Sequence, residues 1–467
     1  MFHGAVPWVY FTVSMVGGLC TVNAFVPVRR DPFTVASFLL AWIPGELPVQ
    51  VLVVQVAGTL AFAHFGAFDR WPGQVGLAVA VASWAGLAWL AVVAHRSGRL
   101  VDEALESAGA APLPGPVDRP VWNTWWRLAI AVPFRFRRIR RIRNVDYWGD
   151  GIFRHRLDVL RLRDHPPERG PVLVYVHGGA WMIGNKRQQG IPMLHELAAR
   201  GWVCVAINYR LSPRATWPSH IVDVKRALAW VREHIAEYGG DPTFVAVSGG
   251  SAGGHLAALA ALTPGAREWQ PGFEDADTSV DACVPFYGAY DLTGDPEASG
   301  EFGPGLLRLL ERFVMKQPIA DDRERYVQAS ATERVGPAAP PMFVLHGIND
   351  TLVPIRVARR LVERLRAVSS APVAFVELPR TQHAFDVLAS IRCRHTTLGV
   401  VRFLEGVRAG TVGAAPAPAT PAPATPAPAT PAPATPEPAS HPPGASPRRS
   451  ADGPRRRRGV LDRPETF

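Results

Sequence analysis

Cysteine and lysine are scarce in this chain of 467 residues. The 4 cysteines form no Cys-x-x-Cys pair, so the spacing gives no sign of a disulfide framework or a paired-thiol site. This usage fits a domain without disulfides, although an exported domain could share it. Because there are so few lysines, the formal net charge of +10 is carried almost wholly by arginine. The lysines are Lys186, Lys225 and Lys316.

The amino terminus also lacks the positive charge of a secretory signal peptide. No Lys or Arg precedes the first apolar stretch, 6–28, and Leu19 stands before Cys20 where a lipobox calls for a small residue. Two further apolar stretches, 49–68 and 73–94, are each near the roughly 20 residues that cross a bilayer as a helix. We therefore predict that residues 1–100 form a membrane anchor of about three transmembrane helices.

A fourth apolar stretch, 33–43, is too short to span and is closed by two prolines and Glu46. These residues would be costly in lipid, so we interpret the stretch as interfacial or re-entrant. With three spans, the flanking arginines predict an external amino terminus and a cytoplasmic catalytic domain, whereas a different count would change the sidedness. The arginines are Arg29 and Arg30 after the first span, Arg70 after the second, and Arg96 and Arg99 after the third.

The carboxyl-terminal segment, 411–467, combines a Pro-Ala-Pro-Ala-Thr repeat with arginine runs. Such a repeat predicts extended, polyproline-like chain with nothing to bury. We interpret the segment as a disordered, solvated tether, with a second contact to anionic lipid as the alternative.

A candidate nucleophile lies in Gly249-Gly250-Ser251-Ala252-Gly253, between an apolar strand pattern and an alanine-rich helix pattern. A strand–turn–helix context is what a nucleophile elbow requires, because the sharp turn exposes the serine hydroxyl. Gly-x-Ser-x-Gly alone is a weak signal in a glycine-rich chain. Upstream, His177-Gly178-Gly179-Ala180 follows another strand pattern, and its backbone N–H groups can face an oxyanion.

A candidate acid and base follow later strand patterns. Asp350 comes after the pattern at 342–346, and His383 after that at 373–377. The carboxyl ends of parallel strands gather at one edge of a sheet, so these residues and Ser251 are expected to meet there. Their order along the chain, Ser then Asp then His, is that of the hydrolases with this elbow.

These motifs identify the segment from 144 to about 408 as similar to the α/β-hydrolase superfamily, and within it to hormone-sensitive-lipase-like carboxylesterases. The resemblance implies that Ser251 attacks an ester carbonyl, His383 transfers the proton and Asp350 orients His383. It also implies no metal or cofactor. Supporting matches are Asn208-Tyr209-Arg210-Leu211-Ser212-Pro213, Tyr238-Gly239-Gly240-Asp241-Pro242 and Pro285-Phe286-Tyr287-Gly288-Ala289-Tyr290-Asp291.

The implied oxyanion hole comprises Gly178, Gly179, Ala180 and Ala252, with the N–H groups of the last three as donors. Ala180 replaces the third glycine of the His-Gly-Gly-Gly form, which retains a backbone donor but limits substrate bulk. His255 and Asp223 are assigned structural roles.

The segment 101–143 is predicted to be a linker followed by a basic, aromatic amphipathic part at 121–143. Its interleaved tryptophans and arginines are typical of a helix at an anionic bilayer surface. Nucleic-acid binding uses the same residue types, but the neighbouring spans favour anionic lipid as the partner over nucleic acid. We hypothesise that 122–136 caps the active site, so that lipophilic esters enter from the bilayer.

The predicted fold class is α/β: an α/β-hydrolase fold at 144–410 with a mostly parallel eight-stranded sheet flanked by helices, preceded by an all-α transmembrane region. The predicted strands are 145–148, 156–162, 172–177, 203–208, 243–248, 282–286, 342–346 and 373–377, and the main helices are 187–200, 219–236, 252–262 and 355–368.

The predicted function is that of a membrane-anchored serine carboxylesterase or lipase acting on a lipophilic acyl ester, with protein partners unassigned. The second interpretation is hydrolysis of amides or formamides by the same triad, which Trp181 is compatible with. The third is a non-catalytic membrane scaffold with a hydrolase fold.

Overall fold

The computed structural model describes residues 4–110, 137–164, 168–299 and 303–412. Two units divide the chain, Met1–Pro416 and Ala417–Phe467, and only the first contains described residues. The predicted cap at 122–136 and nearly all of the predicted tail therefore lie outside the described residues.

An eight-stranded sheet forms the centre of the first unit, in the order β1-β2-β4-β3-β5-β6-β7-β8. β2 pairs antiparallel with β1 and β4, and every other pairing is parallel. The predicted mostly parallel sheet is thereby confirmed. The strands are β1 Ile139–Asp146, β2 Arg156–Leu162, β3 Gly170–Val176, β4 Val203–Ile207, β5 Gly240–Gly250, β6 Ala282–Phe286, β7 Met342–Gly347 and β8 Val373–Leu378.

Helices cover both faces of the sheet, which is why its central strands are almost continuous apolar runs. In β3, Val172, Val174 and Val176 enter one hydrophobic core, whereas Leu173 and Tyr175 enter the other. The helices of this part are α5 Ile191–Ala199, α6 Ser219–His234, α7 Ala252–Leu262, α8 Pro296–Ser299, α9 Gly303–Leu309, α10 Arg323–Ala329, α11 Ile355–Val368 and α12 Ile391–Arg408. A π-helical turn, Leu310–Val314, extends α9.

The first strand differs from its prediction. β1 begins at Ile139, inside the range predicted to be linker and amphipathic segment, whereas the sequence predicted a strand only over 145–148. Its arginine-rich sequence is compatible with a sheet edge because alternate side chains of an edge strand face solvent. Pairing with β2, from Ile139 opposite Leu162 to Asp146 opposite Arg156, fixes its position.

Within residues 4–110, four helices precede the sheet: α1 Val6–Phe25, α2 Thr34–Glu46, α3 Pro48–His64 and α4 Trp71–Ser107. By length and composition α1 and α4 could each cross a membrane, and α2 and α3 could form one broken span or a re-entrant loop because they are bent by 90° at their junction. The short apolar stretch predicted to be interfacial or re-entrant corresponds to α2.

The longest of the described helices, α4, joins the apolar helices to the part of the chain that contains the sheet. At 1.5 Å per residue its 37 residues extend about 55 Å. Its amino-terminal half packs against α1. Towards its carboxyl end, Val101 and Leu105 belong to the same hydrophobic core as Phe343 of β7 and Phe403 of α12. The helix also continues past residue 100, where the anchor was predicted to end.

Candidate active site

Ser251 occupies a strained turn between β5 and α7. Its backbone angles are φ 58° and ψ −124°, a combination that a residue with a side chain seldom adopts. The turn is held because the Ser251 N–H donates to the Phe286 carbonyl at 3.0 Å. A Cβ on Gly253 would collide with the Val176 carbonyl oxygen, so glycine there lets α7 approach β3. The geometry is that of a nucleophile elbow.

The loop after β3 brings further backbone groups towards Ser251. Gly179 and Ala180 adopt φ values of 120° and 51°, and both line the same cavity as Ser251 and Ala252. The His177 ring before them stacks on Tyr209, with the ring centroids 4.5 Å apart. Burial lowers the pKa of His177 to about 4, so this ring is neutral at pH 7.

Gly178 differs from its neighbours in the predicted oxyanion hole. Its N–H donates to Oε1 of Gln189 at 2.7 Å, so that donor is already engaged. A Cβ on Gly178 would also lie 2.5 Å from the Gly250 carbonyl oxygen. The structure therefore gives Gly178 a packing role beside the elbow and leaves Gly179, Ala180 and Ala252 as the candidate donors.

Asp350 follows β7, and its carboxylate is fully engaged. Oδ1 accepts the N–H groups of Leu352 and Val353, both at 2.8 Å. Oδ2 lies 2.6 Å from Nδ1 of His383 and 3.4 Å from Nε2 of His346. Burial alone would raise the pKa of Asp350, but the charge of His383 and the hydrogen bonds from both rings outweigh it, and the pKa is well below its ordinary value. Asp350 is thus a buried carboxylate beside His383.

His383 follows β8 and lies in the cavity wall with Ser251. Its ring is enclosed by Tyr287, 4.5 Å away between centroids, and by the edge-to-face ring of Phe38 at 6.3 Å. Tyr287 donates its hydroxyl to Asp386, whose pKa is raised by burial. The carboxyl group of Asp386 is therefore bound to Tyr287, while Asp350 bonds the His383 ring.

The cavity in front of Ser251 has a volume of about 440 Å³, within the range of small-molecule sites. Its lining is mainly apolar and comes from three regions besides the catalytic loops. From α2 and the connection before it come Asp31, Thr34, Val35 and Phe38; from α9 come Gly305, Leu306 and Leu309; from the loop after β3 come Trp181, Ile183 and Gln189.

The wall formed by α2 was missed from the sequence, where a cap was expected from 122–136. The sequence indicated only that the apolar stretch at 33–43 is too short to span a bilayer. Its length does not indicate which surface of the protein the stretch packs against. The amino-terminal helices also bond the loops that carry the candidate acid and base. Thr351 donates its hydroxyl to the Thr34 carbonyl at 2.9 Å, and Nε1 of Trp42 donates to the Ala384 carbonyl at 3.1 Å.

Glu46 ends α2 in a buried ion pair with Arg392 of α12. Its other carboxylate oxygen accepts the Ser390 hydroxyl at 3.0 Å, and Arg392 also donates to the Gly45 carbonyl at 3.1 Å. Both charged side chains are at most 1% exposed, so the pair fastens the α2–α3 junction to the catalytic domain.

The other titratable candidates have structural partners. Nε2 of His255 donates to the Ala329 carbonyl at 2.7 Å, and burial lowers the pKa of this ring to about 4. Asp223 accepts the backbone and guanidinium N–H groups of Arg210. Within the described ranges no group of three or more His, Cys, Asp or Glu side chains could hold a metal ion.

A fold of this kind, with a strained serine turn and a buried Asp–His pair, is typical of α/β-hydrolases that cleave carboxylic esters. The family model BD-FAE matches residues 157–365. Among curated proteins of Mycobacterium tuberculosis, the chain is 45% identical over 420 residues to the probable carboxylic ester hydrolase LipM, covering 87% of this chain and 95% of LipM. It is 38% identical over 400 residues to esterase LipQ, covering 85% and 90%. The chain belongs to the esterase family of LipM and LipQ, within the hormone-sensitive-lipase-like group.

Solved structures agree on the fold. The phosphonate-inhibited esterase B of Lactobacillus rhamnosis superposes with a TM-score of 0.50 at 19% identity, covering 60% of this chain and 88% of that one. The predicted superfamily, fold class and enzyme class are confirmed.

Proposed function

We propose that this carboxylic ester hydrolase is a membrane-bound serine esterase that uses Ser251, His383 and Asp350 on lipophilic acyl esters. The observation that carries the proposal is one cavity lined by Ser251, His383 and the candidate oxyanion donors, with His383 bonded to Asp350 at 2.6 Å on its far nitrogen. A bond from Nδ1–H to a carboxylate leaves Nε2 as the basic nitrogen of the ring.

The reaction then proceeds in two stages. Ser251 Oγ adds to the ester carbonyl while His383 takes the hydroxyl proton, and the N–H groups of Gly179, Ala180 and Ala252 stabilise the oxyanion. Collapse breaks the bond to the alcohol, which leaves with the proton from His383. A water molecule, deprotonated by His383, next cleaves the acyl-enzyme and releases the acid and free Ser251.

Contacts at both ends of the amino-terminal helices support a membrane anchor with three crossings. At one end, Tyr10 of α1 meets Thr59 of α3 through their hydroxyls at 3.1 Å, and Trp8 packs on Trp71 of α4. At the other end, the Ala24 carbonyl accepts a hydrogen bond from Asn349 beside the candidate acid. α1, α3 and α4 therefore run between the same two ends, and α2 lies at the end near the catalytic domain.

This arrangement supports the sidedness proposed from the arginines. Three crossings place the amino terminus on the opposite side of the membrane from the catalytic domain. Arg29, Arg30, Arg96 and Arg99 lie towards the catalytic end, and Arg70 lies towards the other. More basic residues at the catalytic end favour the cytoplasm for that end. In intact cells, a tag at the amino terminus should then be accessible from outside, and a tag at the carboxyl terminus only after permeabilisation.

The test of the activity is hydrolysis of p-nitrophenyl esters by the full chain in detergent, with Ser251→Ala and a matched serine control. Ser248 lies three residues earlier on β5, is buried and donates to the Val284 carbonyl at 2.7 Å. Ser251→Ala should lose at least about 10⁴-fold in kcat, whereas Ser248→Ala should keep ester hydrolysis. Equal activity in the two variants would contradict the proposal, and faster hydrolysis of matched anilides or formamides would support the amidase alternative.

A further inference from the structure

The catalytic cavity has a wall made by a helix of the membrane-associated part of the chain. Thr34, Val35 and Phe38 lie at positions i, i+1 and i+4 of α2, so they share one helical face, and all three line the cavity with Ser251. Phe38 reaches the catalytic ring of His383. Leu306 and Leu309 of α9 also line the cavity and add apolar surface. A cavity lined in this way is suited to an aliphatic chain and offers it few hydrogen-bonding groups.

Two lining residues mark the cavity mouth because they are also exposed. Val35 is 57% exposed and Ile183 is 70% exposed, yet both line the cavity. Single exposed apolar residues need no explanation, but these two flank an opening that leads to Ser251. The mouth is therefore apolar at Val35 and Ile183.

Further exposed apolar side chains lie beside α2 and on α3. Phe33, just before α2, is more than half exposed, and so are Val53 and Val54 on α3. α3 leaves α2 at a 90° bend after Glu46. Exposed apolar side chains on such helices are typical of contact with lipid, and Val35 at the mouth lies on the same helix pair.

The rim also carries charge. Asp31 lines the cavity and pairs with the exposed Arg308 of α9. One part of the rim is thus apolar, whereas another is charged. This asymmetry matches an amphiphile, whose hydrocarbon chain and polar end need different surroundings.

We infer that α2 is the acyl-binding wall of the active site, and that the acyl chain of an amphiphilic ester enters from the bilayer between Val35 and Ile183. This inference rests on the proposed esterase function and names the substrate class and route for the same site. The wall comes from α2, whereas the cap predicted at 122–136 lies outside the described residues and stays a prediction.

The first test compares Val35→Trp with Leu39→Trp in the full chain. Leu39 lies on the same helix, is similarly exposed and does not line the cavity. For each protein the ratio of kcat/KM for a dodecanoyl ester to that for the acetyl ester is measured in detergent. A ratio isolates chain recognition from changes common to both substrates.

Val35→Trp should lower this ratio by about tenfold or more, since losing space for even one methylene costs roughly that much discrimination. Leu39→Trp should leave the ratio at its wild-type value. Equal ratios in the two variants, with Ser251-dependent acetyl hydrolysis intact, would overturn the acyl-wall inference alone. Absence of Ser251-dependent hydrolysis in the unmodified enzyme would overturn the proposed function and this inference together.

The second test locates the mouth without relying on activity. Cys204, Cys283 and Cys393 are buried, so with Cys20→Ser as background a nitroxide can be attached at Val35→Cys or Ile183→Cys in lipid vesicles. Both nitroxides should collide more readily with oxygen, which concentrates in the bilayer, than with a water-soluble nickel chelate. Preferential collision with the chelate at both positions would overturn entry from the bilayer.

Discussion

The ion pair between Glu46 and Arg392 allows a quantitative test of how the anchor is joined to the enzyme. Both side chains are buried, and the carboxylate also accepts the Ser390 hydroxyl. Arg392→Met would leave the Glu46 carboxylate buried without its cation. Removing one member of a buried pair costs about 3–5 kcal/mol, so we expect a loss of that size in the free energy of unfolding.

The measurement is denaturant unfolding of the full chain in detergent micelles, followed by tryptophan fluorescence. The matched control is Arg99→Met, because Arg99 pairs with Glu103 while the two side chains are 85% and 50% exposed, and exposed pairs contribute little. The double variant Glu46→Leu/Arg392→Met should recover most of the lost stability, since apolar replacement of both partners is often neutral. The reasoning would be refuted if Arg392→Met lowered the free energy of unfolding no more than Arg99→Met does. It would also be refuted if the losses of Glu46→Leu and Arg392→Met, measured singly, added up to the loss of the double variant.

Three further outcomes follow from the site. Asp350→Asn should lower kcat by about 10⁴-fold, because an amide no longer holds the required tautomer of His383, and ester kinetics measure this. Because the pKa of Asp350 is lowered in the folded state, this carboxylate stabilises the fold above its unfolded pKa of about 3.9, and the stabilisation is lost as pH falls through the folded pKa. The difference in the free energy of unfolding between the wild type and Asp350→Asn should therefore become smaller below about pH 4. A difference that stays constant down to pH 2 would contradict this. Gly253→Ala should lower the melting temperature because the added Cβ would collide with backbone atoms, whereas Gly336→Ala should leave it unchanged because the space around Gly336 is open. Thermal unfolding measures both.

Local patterns were sufficient to predict most of the sheet and the elbow. Buried parallel strands are apolar runs bounded by turn residues, so seven of the eight were found close to their observed positions. The predicted range of β1 was wrong because Ile139–Asp146 is rich in charged residues and does not show an apolar strand pattern. Its strand conformation depends on pairing with β2. The elbow was readable because its glycines are required by a close backbone contact within a short stretch of chain.

Long-range partners account for what sequence reasoning missed. Glu46 was expected to be costly in lipid, but its partner Arg392 is 346 positions away and no pattern connects them. The wall formed by α2 depends in the same way on how distant segments pack. Gly178 was included in the predicted oxyanion hole because it belongs to the His-Gly-Gly motif. Its N–H donates instead to the side chain of Gln189, which belongs to no recognisable motif.

Covalent labelling of the nucleophile tests the central claim most directly. The full chain would be treated with an alkyl fluorophosphonate, its residual esterase activity followed, and the modified peptide located by mass spectrometry. The account predicts one adduct per chain, on Ser251, forming in step with the loss of activity and absent from Ser251→Ala. Loss of activity with the adduct on another residue, or full activity after Ser251 is labelled, would contradict it.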